Sequence, residues 1–98
     1  MKLEECRNAI DAIDAEILTL LNQRARIARA IGAIKLKAGM PIADREREAE
    51  IIRKVARDNT GPLENRAAVR IYNGILRESR QIQLDLAEST ARNGEVGL

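Results

Sequence analysis

The sequence predicts an all-α chain of three helices, the first very long, that assembles with a second copy of itself. Three observations carry this. Leu3, Cys6, Ile10, Ile13, Ile17, Leu20, Arg24, Ile27, Ile31, Ile34 and Ala38 follow one another at intervals of 3 and 4 residues without a break or a proline. That is an a/d stripe, the pattern of a continuous helix with one face given to a partner helix. Two shorter amphipathic stretches follow, each opened by turn residues. A helix from Leu3 to Ala38 would also measure about 54 Å, whereas a compact chain of this length has a radius of gyration of about 13 Å. Such a rod extends beyond its own globule, and a second copy is the simplest cover.

The first helix ends at Lys37-Ala38, where Gly39-Met40-Pro41 places Gly just past the last periodic residue and Pro soon after. Gly32, inside the helix, costs about 1 kcal/mol relative to Ala and leaves room for another backbone or a ligand to approach. Arg24 stands where the stripe calls for Leu or Ile. Lys35 follows about three turns later, so the two side chains fall within roughly 20° on one face and about 16 Å apart along the axis. They fit either a registry-setting polar residue beside a snorkelling lysine or two cations converging on an anion.

Asp44 reads as the N-cap of a second helix that runs to about Arg57, with Ile51, Ile52, Val55 and Ala56 on its apolar face. Glu48 extends that inward face toward the helix start, with Arg47 beside it. An exposed Arg/Glu-rich first turn is the alternative. Asp58-Asn59-Thr60-Gly61-Pro62 is a turn by composition. The third helix is expected from about Leu63 to Ala91, with an inward stripe of Ala67/Ala68, Ile71/Tyr72, Ile75/Leu76, Ser79, Ile82/Gln83 and Leu86. Ser79 and Gln83 sit one turn apart on that stripe, either as binding groups or as polar residues satisfied by their neighbours. Residues 1–91 therefore read as one helical domain and residues 92–98 as a disordered tail.

Composition excludes several function classes. The chain has 98 residues, with 17 Lys+Arg against 15 Asp+Glu and a net charge of +2. Its charges are interspersed, unlike the one-sided basic block of a nucleic-acid or membrane-surface protein. Tyr72 is the only aromatic residue, so base stacking is unavailable. With no His and one Cys, neither His-based catalysis nor the usual metal sites are expected. Cys6 reads as a small buried hydrophobe on the stripe. There is no apolar run of membrane-spanning length and no apolar leader segment, which reads as a cytoplasmic protein.

The inward polar residues Arg24, Lys35, Glu48, Ser79 and Gln83 are too many for independent registry devices. Taken with Arg7, Ile10 and Asp14, with Leu20-Leu21-x-x-Arg24, Ile31-Gly32-x-x-Lys35, Pro41-Ile42-x-Asp44-x-x-Arg47-Glu48 and Glu78-Ser79-x-x-x-Gln83, they resemble the all-helical (type II) chorismate mutases. The resemblance runs from about residue 3 to residue 87 and rests on the order and intervals of the pieces. One departure is visible: Ala43 stands before Asp44 where many relatives carry Arg, and Arg45 follows.

The resemblance implies an intertwined homodimeric helical bundle with two equivalent sites that convert chorismate to prephenate without cofactor or metal. It implies that Arg24 and Arg7 clamp the two carboxylates of chorismate, as guanidinium forks do. Arg7 lies roughly 25 Å from Arg24 and 42 Å from Lys35 along a straight helix, so it would enter from the partner chain. Lys35 and Gln83 would donate to the ether oxygen as negative charge develops there. Glu48 would accept from the ring hydroxyl with Asp44 nearby, Ser79 would help hold the ring carboxylate, and Arg47 would line the site. Isochorismate-pyruvate lyases share the fold, but there an apolar residue typically replaces the glutamate found here as Glu48. A non-catalytic helical dimer, regulatory or RNA-binding, would carry its basic residues outward and would have no use for Lys35 and Gln83 turned inward.

Overall fold

The structure, a computed structural model, describes residues 1–96 as three helices: α1 (Leu3–Ala38), α2 (Arg45–Asp58) and α3 (Asn65–Val96). The helix starts and stops follow from local chemistry. Glu5 Oε2 accepts from the Lys2 N–H at 3.3 Å at the head of α1. At its foot Gly39 adopts φ 68°, the left-handed conformation that glycine enters without penalty. The Gly39 N–H then bonds Leu36 O, and Met40 N–H bonds Lys35 O at 2.8 Å, which together close a Schellman motif. Asp44 caps α2 as its spacing predicts, Oδ1 accepting from Arg47 N–H at 3.1 Å. Asn59 organises the next turn, its amide donating to Leu63 O and Asn65 Oδ1, both at 2.8 Å.

α3 starts two residues later than Leu63 and runs to Val96, beyond the expected end at Ala91. Residues 92–96, expected in the tail, are helical, and residues 97–98 lie outside the described part. A single glycine such as Gly94 costs about 1 kcal/mol and does not stop a helix by itself. The Glu88–Arg92 pair one turn apart, at 3.7 Å, adds support.

α3 packs against both α1 and α2 and so joins them. Apart from Arg24 it leaves the a/d stripe of α1 uncovered. The covered positions of α1 are Arg24, Ala25, Ala28, Gly32, Lys35 and Leu36, a neighbouring face rich in small residues. Small side chains let the axes close: a Cβ on Gly32 would stand 3.0 Å from Gln83 Cγ and 3.3 Å from Gln83 Cα. The large apolar residues of the stripe stay open, Leu20 at 61% and Ile27 at 63% exposed, with Ile10, Ile13, Ile17 and Ile31 also uncovered. Cys6, expected to be buried, is exposed on the same face. Among the described residues the buried apolar side chains are Ala28, Ala68 and Leu76. The chain extends 63 Å along its principal axis, with a radius of gyration of 17.6 Å. That exceeds the value of about 13 Å for a compact chain of this length. Among the described residues no helix is long and apolar enough to cross a membrane.

Candidate active site

Where the C-terminal half of α1, the head of α2 and the middle of α3 converge, they enclose a cavity of about 240 Å³. α1 contributes Arg24, Ile27, Ala28, Ile31 and Lys35; the following loop gives Ile42 and Asp44; α2 gives Arg47, Glu48 and Ile51. α3 contributes Leu76, Ser79, Arg80 and Gln83, positions i, i+3, i+4 and i+7 of one helical face. Apolar side chains thus form part of the wall, and four cations face two carboxylates. The head of α2 also points its positive dipole end at this space. A wider groove shares Arg24 and Arg47 but lacks Lys35, Ser79 and Gln83.

Several of the polar side chains are held by hydrogen bonds. Arg24 Nη1 donates to Ser79 Oγ, and the Ser79 hydroxyl donates in turn to Ile75 O at 3.0 Å, one turn back on α3. This relay fixes the guanidinium and leaves its other N–H groups available. Lys35 Nζ donates to Ile42 O at 2.8 Å, tying the 39–44 loop to α1. An ammonium has three protons, so two more point elsewhere. Glu48 is engaged by Arg80 Nη1 from α3. Arg47 is more open, pairing with Glu50 Oε2 at 3.4 Å.

Gln83 is the buried polar side chain of the site, 7% exposed, and its amide oxygen has no hydrogen-bond partner. Leaving such a group unpaired costs roughly 1–3 kcal/mol. Only a hydrogen-bond donor brought to that oxygen would recover part of the cost.

The residues singled out in the sequence divide into two groups. Arg24, Lys35, Asp44, Arg47, Glu48, Ser79 and Gln83 all line the one cavity. Arg7 does not. It lies near the free end of α1, its side chain 67% exposed and 4.0 Å from Glu4. Arg80 was missed. Its place on the Leu76–Gln83 face was readable, but an arginine beside an inward serine reads as a solvent-facing flank. No group of three or more His, Cys, Asp or Glu stands together as metal ligands among the described residues.

The family model described as chorismate mutase type II matches residues 6–84. A chorismate mutase of Methanocaldococcus jannaschii is 33% identical over 92 residues, covering 91% of each chain. A bifunctional chorismate mutase/prephenate dehydratase of Aquifex aeolicus is 48% identical over 79 residues, 76% of this chain but 22% of that protein. This chain thus spans about a fifth of the length of the bifunctional relatives it matches. In three dimensions it resembles a Helicobacter pylori chorismate mutase solved in complex with prephenate, with a TM-score of 0.80 and 31% identity over 88% of this chain and 93% of that one. The matched span takes in every helix that lines the cavity, and on that evidence the chain belongs to the type II chorismate mutase family.

Proposed function

We propose that this chain is a chorismate mutase, catalysing the Claisen rearrangement of chorismate to prephenate in the route to phenylalanine and tyrosine. The observation that carries the reading is the charge of the cavity: Arg24, Lys35, Arg47 and Arg80 against Asp44 and Glu48, an excess of two positive charges. Chorismate is a dicarboxylate of charge −2, so the site complements it. The M. jannaschii relative carries the mutase name over nearly its whole length, and the H. pylori structure holds prephenate.

The reaction is unimolecular. The ether C–O bond breaks as a C–C bond forms between the enolpyruvyl methylene and the ring, and no atom is gained or lost. It requires neither a nucleophile nor a cofactor. Catalysis then consists of holding the folded conformer and stabilising charge where it develops. Arg24, fixed by Ser79, grips one carboxylate. Lys35 and Gln83 donate to the ether oxygen, which gains negative charge in the transition state. Glu48 accepts from the ring hydroxyl, and Asp44 and Arg47 line the mouth at the head of α2. An acceleration of about 10⁶-fold asks for roughly 8 kcal/mol, within reach of two preorganised donors and two arginine clamps.

The second clamp is Arg7 of a partner chain in an intertwined homodimer. The open stripe of Ile10, Ile13, Ile17, Leu20, Ile27 and Ile31 supports that assembly, as does the position of Arg7 on the same helix as Arg24 yet far outside its own cavity. The test is incubation of the chain with chorismate and identification of the product. Prephenate formed at an accelerated rate is expected. Salicylate plus pyruvate would instead mark a lyase, and no consumption at all would overturn catalysis.

A further inference from the structure

We infer that Arg80 is a positioning residue for the site. It holds one carboxylate oxygen of Glu48 so that the other is presented to the hydroxyl of the bound ring. The inference rests on the mutase reading of the cavity. Its basis is the Arg80 Nη1–Glu48 Oε1 ion pair, which joins α3 to α2 across 32 residues of sequence. The other ion pairs among the described residues are local, between residues no more than four apart, and more exposed. Such surface pairs contribute little. This pair is sheltered, its side chains 38% and 27% exposed, and both partners line the cavity.

Physical chemistry gives the contact two consequences. Glu48 has three rotatable bonds, and freezing such a side chain costs on the order of 1 kcal/mol or more. Arg80 meets that cost in the folded chain before any ligand arrives, which is preorganisation. A dicarboxylate brought next to an unpaired Glu48 would also meet like charge. Arg80 offsets that charge and leaves Glu48 able to accept a hydrogen bond. The hydroxyl contact exists in bound substrate and transition state alike, so its loss should appear in KM more than in kcat.

The experiment is a double-mutant cycle in chorismate mutase activity, using Arg80→Met, Glu48→Ala and the double variant, with Arg80→Lys as the conservative control. Arg80→Met should lower kcat/KM about tenfold, mainly through KM, since a hydrogen bond to a charged group is worth roughly 10- to 100-fold. In the Glu48→Ala background the same change should cost less than about twofold, because Arg80 then has nothing to hold. Arg80→Lys should fall between Met and the wild type. A role confined to tying α3 to α2 through this pair would lower Tm in the wild-type background alone and leave KM unmoved, and that result overturns the inference. An equal loss of kcat/KM in both backgrounds would mean that Arg80 touches the ligand directly, and it overturns the inference. So does unchanged kinetics in Arg80→Met. A wild-type chain inert toward chorismate overturns the mutase reading itself, and this inference with it.

Discussion

Gln83 is a neutral amide among the charged side chains of the cavity, and that choice decides how the site answers to pH. A carboxamide presents N–H donors at every pH, and the chain contains no His to titrate near neutrality. Under the proposed mechanism Gln83→Glu must be protonated to donate to the ether oxygen. The variant should therefore be most active at acid pH and lose activity as pH rises through its pKa, while the wild-type kcat stays nearly flat from about pH 6 to 9. Gln83→Ala should lose activity at every pH, and chiefly in kcat, since the contact strengthens as charge develops. Initial rates across that range check both variants, and a wild-type bell centred near neutrality would contradict the mechanism.

At the scale of the helices, α1 and α3 meet through Gly32 and Gln83. Helix propensity alone would make Gly32→Ala stabilising by about 1 kcal/mol. The contact reverses this expectation. The added methyl would stand 3.0 Å from Gln83 Cγ and 3.3 Å from the α3 backbone, and a buried Gln83 has little room to yield. α3 must move by a few tenths of an ångström and carry the amide away from its place. Gly32→Ala should thus lower kcat at least tenfold, the loss expected when a donor to developing charge is displaced, while helical content by circular dichroism is unchanged or higher. Gly39, whose φ of 68° has open space around it, acts instead through backbone conformation. Gly39→Ala should lower Tm, because only the left-handed residue closes the motif that ends α1.

The whole molecule poses a different problem, that of a 63 Å rod with an apolar stripe facing solvent. Among the described residues of the single chain, Ala28, Ala68 and Leu76 make up the buried apolar core, and the proposed dimer would supply the missing cover. Melting temperature should then depend on protein concentration, because folding and association are linked. A helical monomer with a concentration-independent Tm would contradict the assembly. The same geometry predicts complementation. Arg7→Ala and Arg24→Ala chains should each be nearly inactive alone. Refolded together, they should regain activity, since one of the two sites in the heterodimer contains both arginines. Heterodimers that form without regaining activity would exclude a site shared between chains.

Periodicity and turn residues determined the elements. The 3–4 stripe, Gly39 with Pro41, the Asp44 cap and the Asp58–Pro62 turn mark three helices because each is a local effect of side chain on backbone. Most of the cavity lining was legible too, because Arg24, Lys35, Glu48, Ser79 and Gln83 break an apolar pattern at inward positions. Periodicity shows which face of a helix is apolar, but not which neighbour covers it. Only the tertiary structure decided that α3 takes the small-residue face of Ala28 and Gly32 and leaves the large a/d residues open. It alone brought Arg80 of α3 to Glu48 of α2, since a pairing 32 residues apart in sequence depends on how two helices cross, and no local spacing encodes that.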